Sequence, residues 1–202
     1  MSLATSPSYI ALDVLNDRWL PFYAKGGFDR CLAIVDEEVA AKAAPRLAPL
    51  WACIEPCDRL VIPGGEGVKS LTHVGETIDW LLAQSATRST LLVAVGGGAL
   101  LDFVGFVASI YKRGIPCVYV PTTLMAMIDA SIGGKTAVDY AGVKNLLGAF
   151  SLPKAVMIDP QFLSTLPQEE ILSGYWELVK YGLLSSGDLW REIKAFDPFG
   201  SI

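Results

Sequence analysis

Leu91 to Asp102 reads LLVAVGGGALLD, an apolar run that stops on three glycines and resumes as a second apolar run. The Leu, Val and Ala residues ahead of Gly96 have the character of a strand buried on both faces, and the run after the glycines opens a helix on that strand's carboxyl end. Such a junction suits an anion. Glycines let the backbone turn tightly and approach a phosphate, and a helix start offers unpaired N–H groups with a partial positive charge. Gly96-Gly97-Gly98 lacks the G-x-G-x-x-G spacing of a dinucleotide fingerprint, so the triplet by itself leaves a phosphate loop and a packing turn equally open. Asp102 weighs toward a ligand, because a carboxylate in an otherwise apolar segment needs a polar partner. Leu91 to Tyr111 is as long as a bilayer span, yet three glycines, a central aspartate and cations on both flanks (Arg88, Lys112, Arg113) argue against one.

The 202 residues are 52% hydrophobic and 18% charged with a net charge of -5, which allows a sizeable core and leaves no basic excess for nucleic acid. No basic segment followed by an apolar one opens the chain, and Cys31, Cys53, Cys57 and Cys117 are not spaced as a disulfide framework, so a cytoplasmic protein is expected. Cys53 and Cys57 are too widely spaced for a metal pair, and His73 is the chain's single histidine, which favours buried or incidental thiols. The mean hydropathy of +0.42 is high and suggests apolar surface that meets something else.

Either side of the glycine stretch, short apolar runs alternate with helical ones. Residues 1–7 read as a disordered or tag-like start, and Tyr9 to Leu15, with Trp19 and Phe22, as an edge strand or hairpin. Cys31 to Val35 is a buried strand ending in Asp36, an acid suited equally to a ribose and to capping the next helix. Residues 37–49 are helical by their alanines, with Pro45 and Pro49 ending or kinking the helix. Arg59 to Ile62 is the next strand. A second glycine-rich turn, Gly64 to Lys69, runs into an amphipathic helix over Leu71–Ala83, and taken alone Glu66 and Lys69 read as a solvated ion pair. Pro116 to Val120 is a fourth buried strand, running into Pro121-Thr122-Thr123. This alternation implies right-handed crossovers and a parallel sheet, so Asp36, the 64–69 turn, Gly96 to Asp102 and Thr122-Thr123 lie on one rim and together point to a nucleotide site.

From Met125 to Phe150 the chain mixes glycines with Asp129, Lys135, Asp139, Lys144 and Asn145. The alternation in KTAVDY predicts a hairpin turning at Ala141-Gly142, and charges in so apolar a setting need partners or a ligand unless the loop is solvated. Lys154 to Asp159 is a last strand, Phe162 to Thr165 a helical turn. Pro167 to Leu184 is an amphipathic helix carrying Gly174, Glu177 and Lys180 on one stripe and Leu172, Trp176, Val179 and Leu183 on another. A mid-helix Gly174 costs stability unless something packs closely on it.

Taken in order, GGEGVKS from Gly64, GGGALLDFVGF from Gly96, YKRG from Tyr111, VPTTLMAMIDASIGGKTAVD from Val120, GVKNLLGAF from Gly142, LPKAVMID from Leu152 and SGYWELVKYGLL from Ser173 resemble the 3-dehydroquinate synthase family of sugar-phosphate cyclases. One departure is Leu101, where the family usually has a small residue before the aspartate. The resemblance implies a Rossmann-like α/β NAD-binding domain over residues 1–166, followed over 167–202 by the first helices of a truncated helical domain. It implies NAD contacts at Asp36, Gly64, Gly65, Glu66, Lys69, Gly97, Gly98, Asp102, Thr122, Thr123, Lys135, Lys144, Phe162 and Thr165. Contacts to a sugar-phosphate substrate are implied at Arg113, Asp129, Lys135, Asn145 and Lys180. A divalent metal, zinc or cobalt, is implied at Glu177, with two histidines expected beyond residue 202.

The activity so implied belongs to the shikimate pathway: 3-deoxy-D-arabino-heptulosonate 7-phosphate becomes 3-dehydroquinate, phosphate leaves and NAD returns unchanged, in a cytoplasmic homodimer. By itself the chain is expected to bind NAD weakly without turnover. The alternatives are another cyclase of inosose or valiolone type, a metal-dependent polyol dehydrogenase, and an NAD-binding module without catalysis.

Overall fold

The computed structural model describes residues 10–12, 15–185 and 188–195. In chain order its strands are β1 (Ile10–Leu12), β2 (Cys31–Asp36), β3 (Arg59–Ile62), β4 (Leu91–Gly96), β5 (Cys117–Pro121), β6 (Lys135–Tyr140), β7 (Val143–Phe150) and β8 (Ala155–Ile158). The helices are α1 (Leu15–Lys25), α2 (Glu37–Lys42), α3 (Ala44–Trp51), α4 (Leu71–Ala83), α5 (Gly98–Ile110), α6 (Gln168–Leu184) and α7 (Asp188–Ala195).

Six strands form one sheet in the order β1-β8-β5-β4-β2-β3, and every neighbouring pair is parallel. Every residue of β4, β5 and β8 is buried, as continuous apolar strands covered on both faces must be. The order reverses once. From β2 the chain goes to β3 on one side, then returns through α4 to lay β4 on the other side of β2, and continues outward to β5 and β8. At such a switch point the connections leave the strands' carboxyl ends in opposite directions and a crevice opens between them. Here it opens between Asp36, at the end of β2, and Gly96, at the end of β4.

Leu91–Gly96 and Gly98–Ile110 fall where the opening stretch predicts, and Leu71–Ala83 is a helix with the expected bounds, capped by Ser70. Asp36 caps α2, its carboxylate accepting from the Glu38 N–H at 2.8 Å. The helix expected over 37–49 is two. It breaks at Ala43 (φ -112°, ψ 20°), two residues before Pro45, and Pro49 lies inside α3 without ending it. Of the edge strand or hairpin expected near the start, the edge strand is found: β1 pairs with β8 at the sheet's edge, while Trp19 and Phe22 lie on α1 and not on a strand. Tyr9 and residues 1–7 fall outside the described residues. Trp19 is fully buried and donates from Nε1 to the Cys53 Sγ at 2.9 Å, so that thiol belongs to packing.

The polar segment after Leu124 forms a π-helical turn over Ala126–Ala130 and then the antiparallel hairpin β6–β7, which turns at Ala141-Gly142 as predicted. The hairpin lies close over α5. A methyl group on Gly105 would come 2.0 Å from the Tyr119 hydroxyl and 2.6 Å from Thr136 Cγ2, so glycine is what admits strand, helix and hairpin together. Leu101 is fully buried, which places the family departure on the core side of α5. Gly174 has the close neighbour that its mid-helix position predicts, since a Cβ there would sit 2.6 Å from Leu124 Cβ. The second stripe of α6 stays outside the core, with Trp176 65% and Leu183 67% exposed.

Candidate functional site at the sheet's switch point

A cavity of about 580 Å³ fills the crevice, a size that accommodates a small-molecule cofactor. Its walls include Asp36, Gly65, Glu66, Lys69, Gly97, Gly98, Asp102, Thr122, Thr123, Phe162 and Thr165, which gathers most of the residues singled out for NAD. Gly64 stands behind Asp36: a Cβ on it would fall 1.8 Å from Asp36 Oδ2. Gly97 packs on Thr123 and Gly98 on Ala130, each leaving 3.1 Å to a would-be Cβ. No side chain caps the start of α5. Its first N–H groups therefore point at the cavity mouth as free donors on the positive end of the helix.

Two charged pairs order the rim, and they cross the pairing that the 64–69 turn suggests alone. Glu66 and Lys69 do not pair with each other. Glu66 meets Lys144 of β7 at 3.2 Å, with both side chains more than half exposed. Lys69 is 3% exposed; its Nζ lies 2.8 Å from Asp102 Oδ2 and also donates to the Asn145 side-chain oxygen. Burial raises the Asp102 carboxyl above the usual carboxylate range, and the Lys69 ammonium pulls it back. One carboxylate and one amide oxygen thus fix the Lys69 side chain at the floor of the crevice.

Asp102 and Asn145 are also walls of a neighbouring cavity of about 310 Å³, which contains Lys135, Thr136, Gly148 and Phe150. Lys135 thus lies next door to the larger cavity, across the Asp102–Asn145 partition. On α6, Glu177 pairs with Lys180, and the Tyr181 hydroxyl donates to Asp129 Oδ1 at 2.8 Å. Glu177 raises the Lys180 ammonium, and Asp129 raises the Tyr181 phenol. Arg113 is not brought to this place. It follows the carboxyl end of α5, about 20 Å from the glycines at the amino end by the rise of 1.5 Å per residue, just ahead of the amino end of β5.

The crevice fits a dinucleotide: donors at the start of α5, glycines that leave room for a close phosphate, and a carboxylate, Asp36, on the facing wall. The metal fares differently. No group of three His, Cys, Asp or Glu able to hold an ion exists among the described residues, Glu177 is engaged by Lys180, and the His73 ring meets Ser70 Oγ at 2.9 Å. One carboxylate is short of the three or four ligands that zinc takes. The described residues therefore do not make a metal centre.

Sequence reasoning missed several walls of the larger cavity: Lys42, Met125, Leu166, Glu170 and Ser173. Glu170 reads in sequence as a first-turn acid complementing the helix dipole, and only the docking of α6 brings it to the cavity's rim. Lys42 has a better signal, since it ends the short helix α2 that Asp36 caps; it pairs with Glu38.

Fold and site define a nucleotide-binding α/β domain with its crevice at the switch point. The profile of the family described as 3-dehydroquinate synthase N-terminal matches residues 59–173, more than half of the chain, and the chain belongs to that family. A 3-dehydroquinate synthase from Rhodospirillum rubrum is 46% identical over 156 residues, 77% of this chain and 40% of that protein. A 2-deoxy-scyllo-inosose synthase complexed with carbaglucose-6-phosphate, NAD+ and Co2+ superposes with a TM-score of 0.78 at 31% identity, covering 89% of this chain and 50% of that one. For 2-epi-5-epi-valiolone synthase from Streptomyces hygroscopicus with NAD+ and Zn2+ bound, the TM-score is 0.72 at 33% identity over 89% of this chain and 51% of that one. The chain thus spans about half the length of the proteins it matches.

Proposed function

We propose that the chain carries the nucleotide-binding portion of a 3-dehydroquinate synthase, a lyase converting 3-deoxy-D-arabino-heptulosonate 7-phosphate to 3-dehydroquinate with loss of phosphate. Residues 1–166 form its NAD-binding domain, and 167–202 begin its helical one. The carrying observation is the partition formed by Lys69, Asp102 and Asn145. It separates a dinucleotide-sized cavity from a smaller one that holds Lys135. The family name and the NAD+ in both solved cyclases support the same reading.

Asp36, Gly64, Gly65, Glu66, Gly97, Gly98, Thr122, Thr123, Lys144, Phe162 and Thr165 hold NAD, which supplies a hydride acceptor when bound. The free N–H groups of α5 compensate the pyrophosphate charge. Lys69 fixes Asp102 and Asn145, and Lys135 and Asn145 orient the sugar phosphate in the smaller cavity. Lys135 and Lys180 compensate negative charge that develops as phosphate leaves, an electrostatic task suited to pre-placed ammonium groups. Asp129, held by Tyr181, accepts from a substrate hydroxyl. Arg113 has no role within one chain in this scheme. Glu177 is a single carboxylate available to zinc or cobalt in the longer protein, and no step is routed through it. The protein is a cytoplasmic homodimer of the shikimate pathway, with a small-molecule substrate and without nucleic acid or membrane partners.

The two solved cyclases favour a second reading, an inosose- or valiolone-forming enzyme on the same rim. Calorimetric titration with NAD tests the cofactor; absence of heat sinks it. Phosphate release from the heptulosonate and from the alternative sugar phosphates, measured on the longer protein, separates the two readings. The chain alone is expected to release none.

A further inference from the structure

Asn145 has a left-handed backbone, φ 54°, at the third residue of strand β7. Asparagine tolerates that region better than most residues, but the conformation still needs something to hold it. The holder is Asp139, across the hairpin: its Oδ1 accepts from the Asn145 N–H at 2.7 Å. Asp139 also reaches the nucleotide rim through its own backbone. Its N–H donates to the Lys69 carbonyl at 2.8 Å, and Ser70 and Asp139 form an isolated parallel bridge. Since Lys69 Nζ donates to the Asn145 side chain, the contacts close a ring. Asp139 binds the backbone of both Lys69 and Asn145, and their side chains bind each other.

From this ring we propose that Asp139 is a positioning residue. Its carboxylate holds Asn145 in the left-handed conformation from which the amide meets Lys69, and so fixes the partition between the two cavities. The significance for catalysis rests on the proposed function, whereas the ring itself does not. Because β6 and β7 are irregular between Val138 and Tyr140, the ladder does not set the Asn145 register unaided. The carboxylate supplies what the missing ladder contact would.

Lysine reactivity tests the ring without a cofactor. Lys69 in the native chain is buried and paired, so reductive methylation followed by mass spectrometry should label it more slowly than the exposed Lys25 or Lys154. Asp139→Ala should speed Lys69 labelling about tenfold, the effect of losing one hydrogen bond to a charged acceptor, while Asp139→Asn, which keeps an acceptor, should stay within about twofold of wild type. In an Asn145→Gly background, which removes the amide that Asp139 is proposed to hold and lets the backbone turn unaided, Asp139→Ala should add no further change. Unaltered labelling in Asp139→Ala, or an equal effect of Asp139→Ala in both backgrounds, overturns the proposal. A circular dichroism melt shows whether each variant is folded; should Asp139→Ala unfold, the Asp139→Ser variant, which retains a shorter acceptor, must label at an intermediate rate. NAD titration of the same variants separates the two ideas. A wild-type chain that ignores NAD but shows the expected labelling pattern defeats the functional reading alone.

Discussion

Lys69 Nζ lies 2.8 Å from Asp102 Oδ2, joining a turn that leaves β3 to a helix that leaves β4, across the point where strand order reverses. The two residues are 33 apart in sequence. Their pairing sets the crevice floor, and it leaves Glu66 free to reach Lys144 on the hairpin.

Removing Lys69 strands a carboxylate that burial already disfavours. Lys69→Met is expected to cost about 1–3 kcal/mol of stability, the usual penalty for leaving a buried polar group unpaired. The sign with pH follows from the raised Asp102 carboxyl. An acid whose folded-state value lies above its unfolded one adds stability when protonated, and that stability is lost as pH rises through the folded value. Without Lys69 the folded value rises further, so the penalty should be larger at pH 8 than at pH 4. Urea titrations at both pH values check this, and Lys69→Met with Asp102→Asn should recover part of the loss. An equal penalty at both pH values would mean that Asp102 does not feel the substitution.

At Gly64 the obstacle is an atom that cannot easily leave. A Cβ would land 1.8 Å from Asp36 Oδ2, while Oδ1 of the same carboxylate caps α2. Gly64→Ala must therefore displace the cap or the turn, at about 1–3 kcal/mol. Gly67→Ala, with nothing within 4 Å of its Cβ, is the matched control and should leave the melting temperature nearly unchanged. Equal melting of the two variants would contradict the packing described here.

The thiols report on the sheet. Burial raises the Cys31 and Cys117 thiols well above their ordinary range, whereas Cys57 is exposed. Since the thiolate is the reactive form, Cys57 should react promptly with an aromatic disulfide reagent, and Cys31 and Cys117 only upon unfolding in denaturant. Prompt release from more than Cys57 and the half-buried Cys53 would place β2 or β5 outside the core.

The parallel sheet was legible because its signal is local: Leu91–Val95 and Cys31–Val35 are apolar on both faces, and a strand buried on both sides leaves no other pattern. Gly174 was legible for a similar reason, as a helix-interior glycine that needs a close neighbour. Partners across the sequence were not. Nothing local tells Lys69 to choose Asp102, 33 residues on, over Glu66, three residues back, because that choice is made by how β3 and β4 flank β2. The same holds for Glu170, whose direction depends on where α6 docks, and for Arg113. Its motif places it in the family, but the length of α5 carries it toward the amino ends of the strands, away from the glycines.

The docking of α6 gives the last test, because propensity and packing oppose each other at Gly174. In an open helix, Gly→Ala gains about 1 kcal/mol from propensity. Here the added Cβ would meet Leu124 Cβ at 2.6 Å and the Met125 backbone nitrogen at 2.7 Å. Backbone cannot swing aside as a side-chain tip can, and overpacking of this kind costs about 1–3 kcal/mol. Packing therefore wins or cancels, and Gly174→Ala should lower or leave unchanged the thermal midpoint, with no gain. Because Leu124 follows Thr122 and Thr123, the displaced helix would also disturb the crevice wall that Glu170 and Ser173 complete. NAD affinity should then fall along with stability. A Gly174→Ala chain that melts higher than wild type would show that α6 does not rest on this segment.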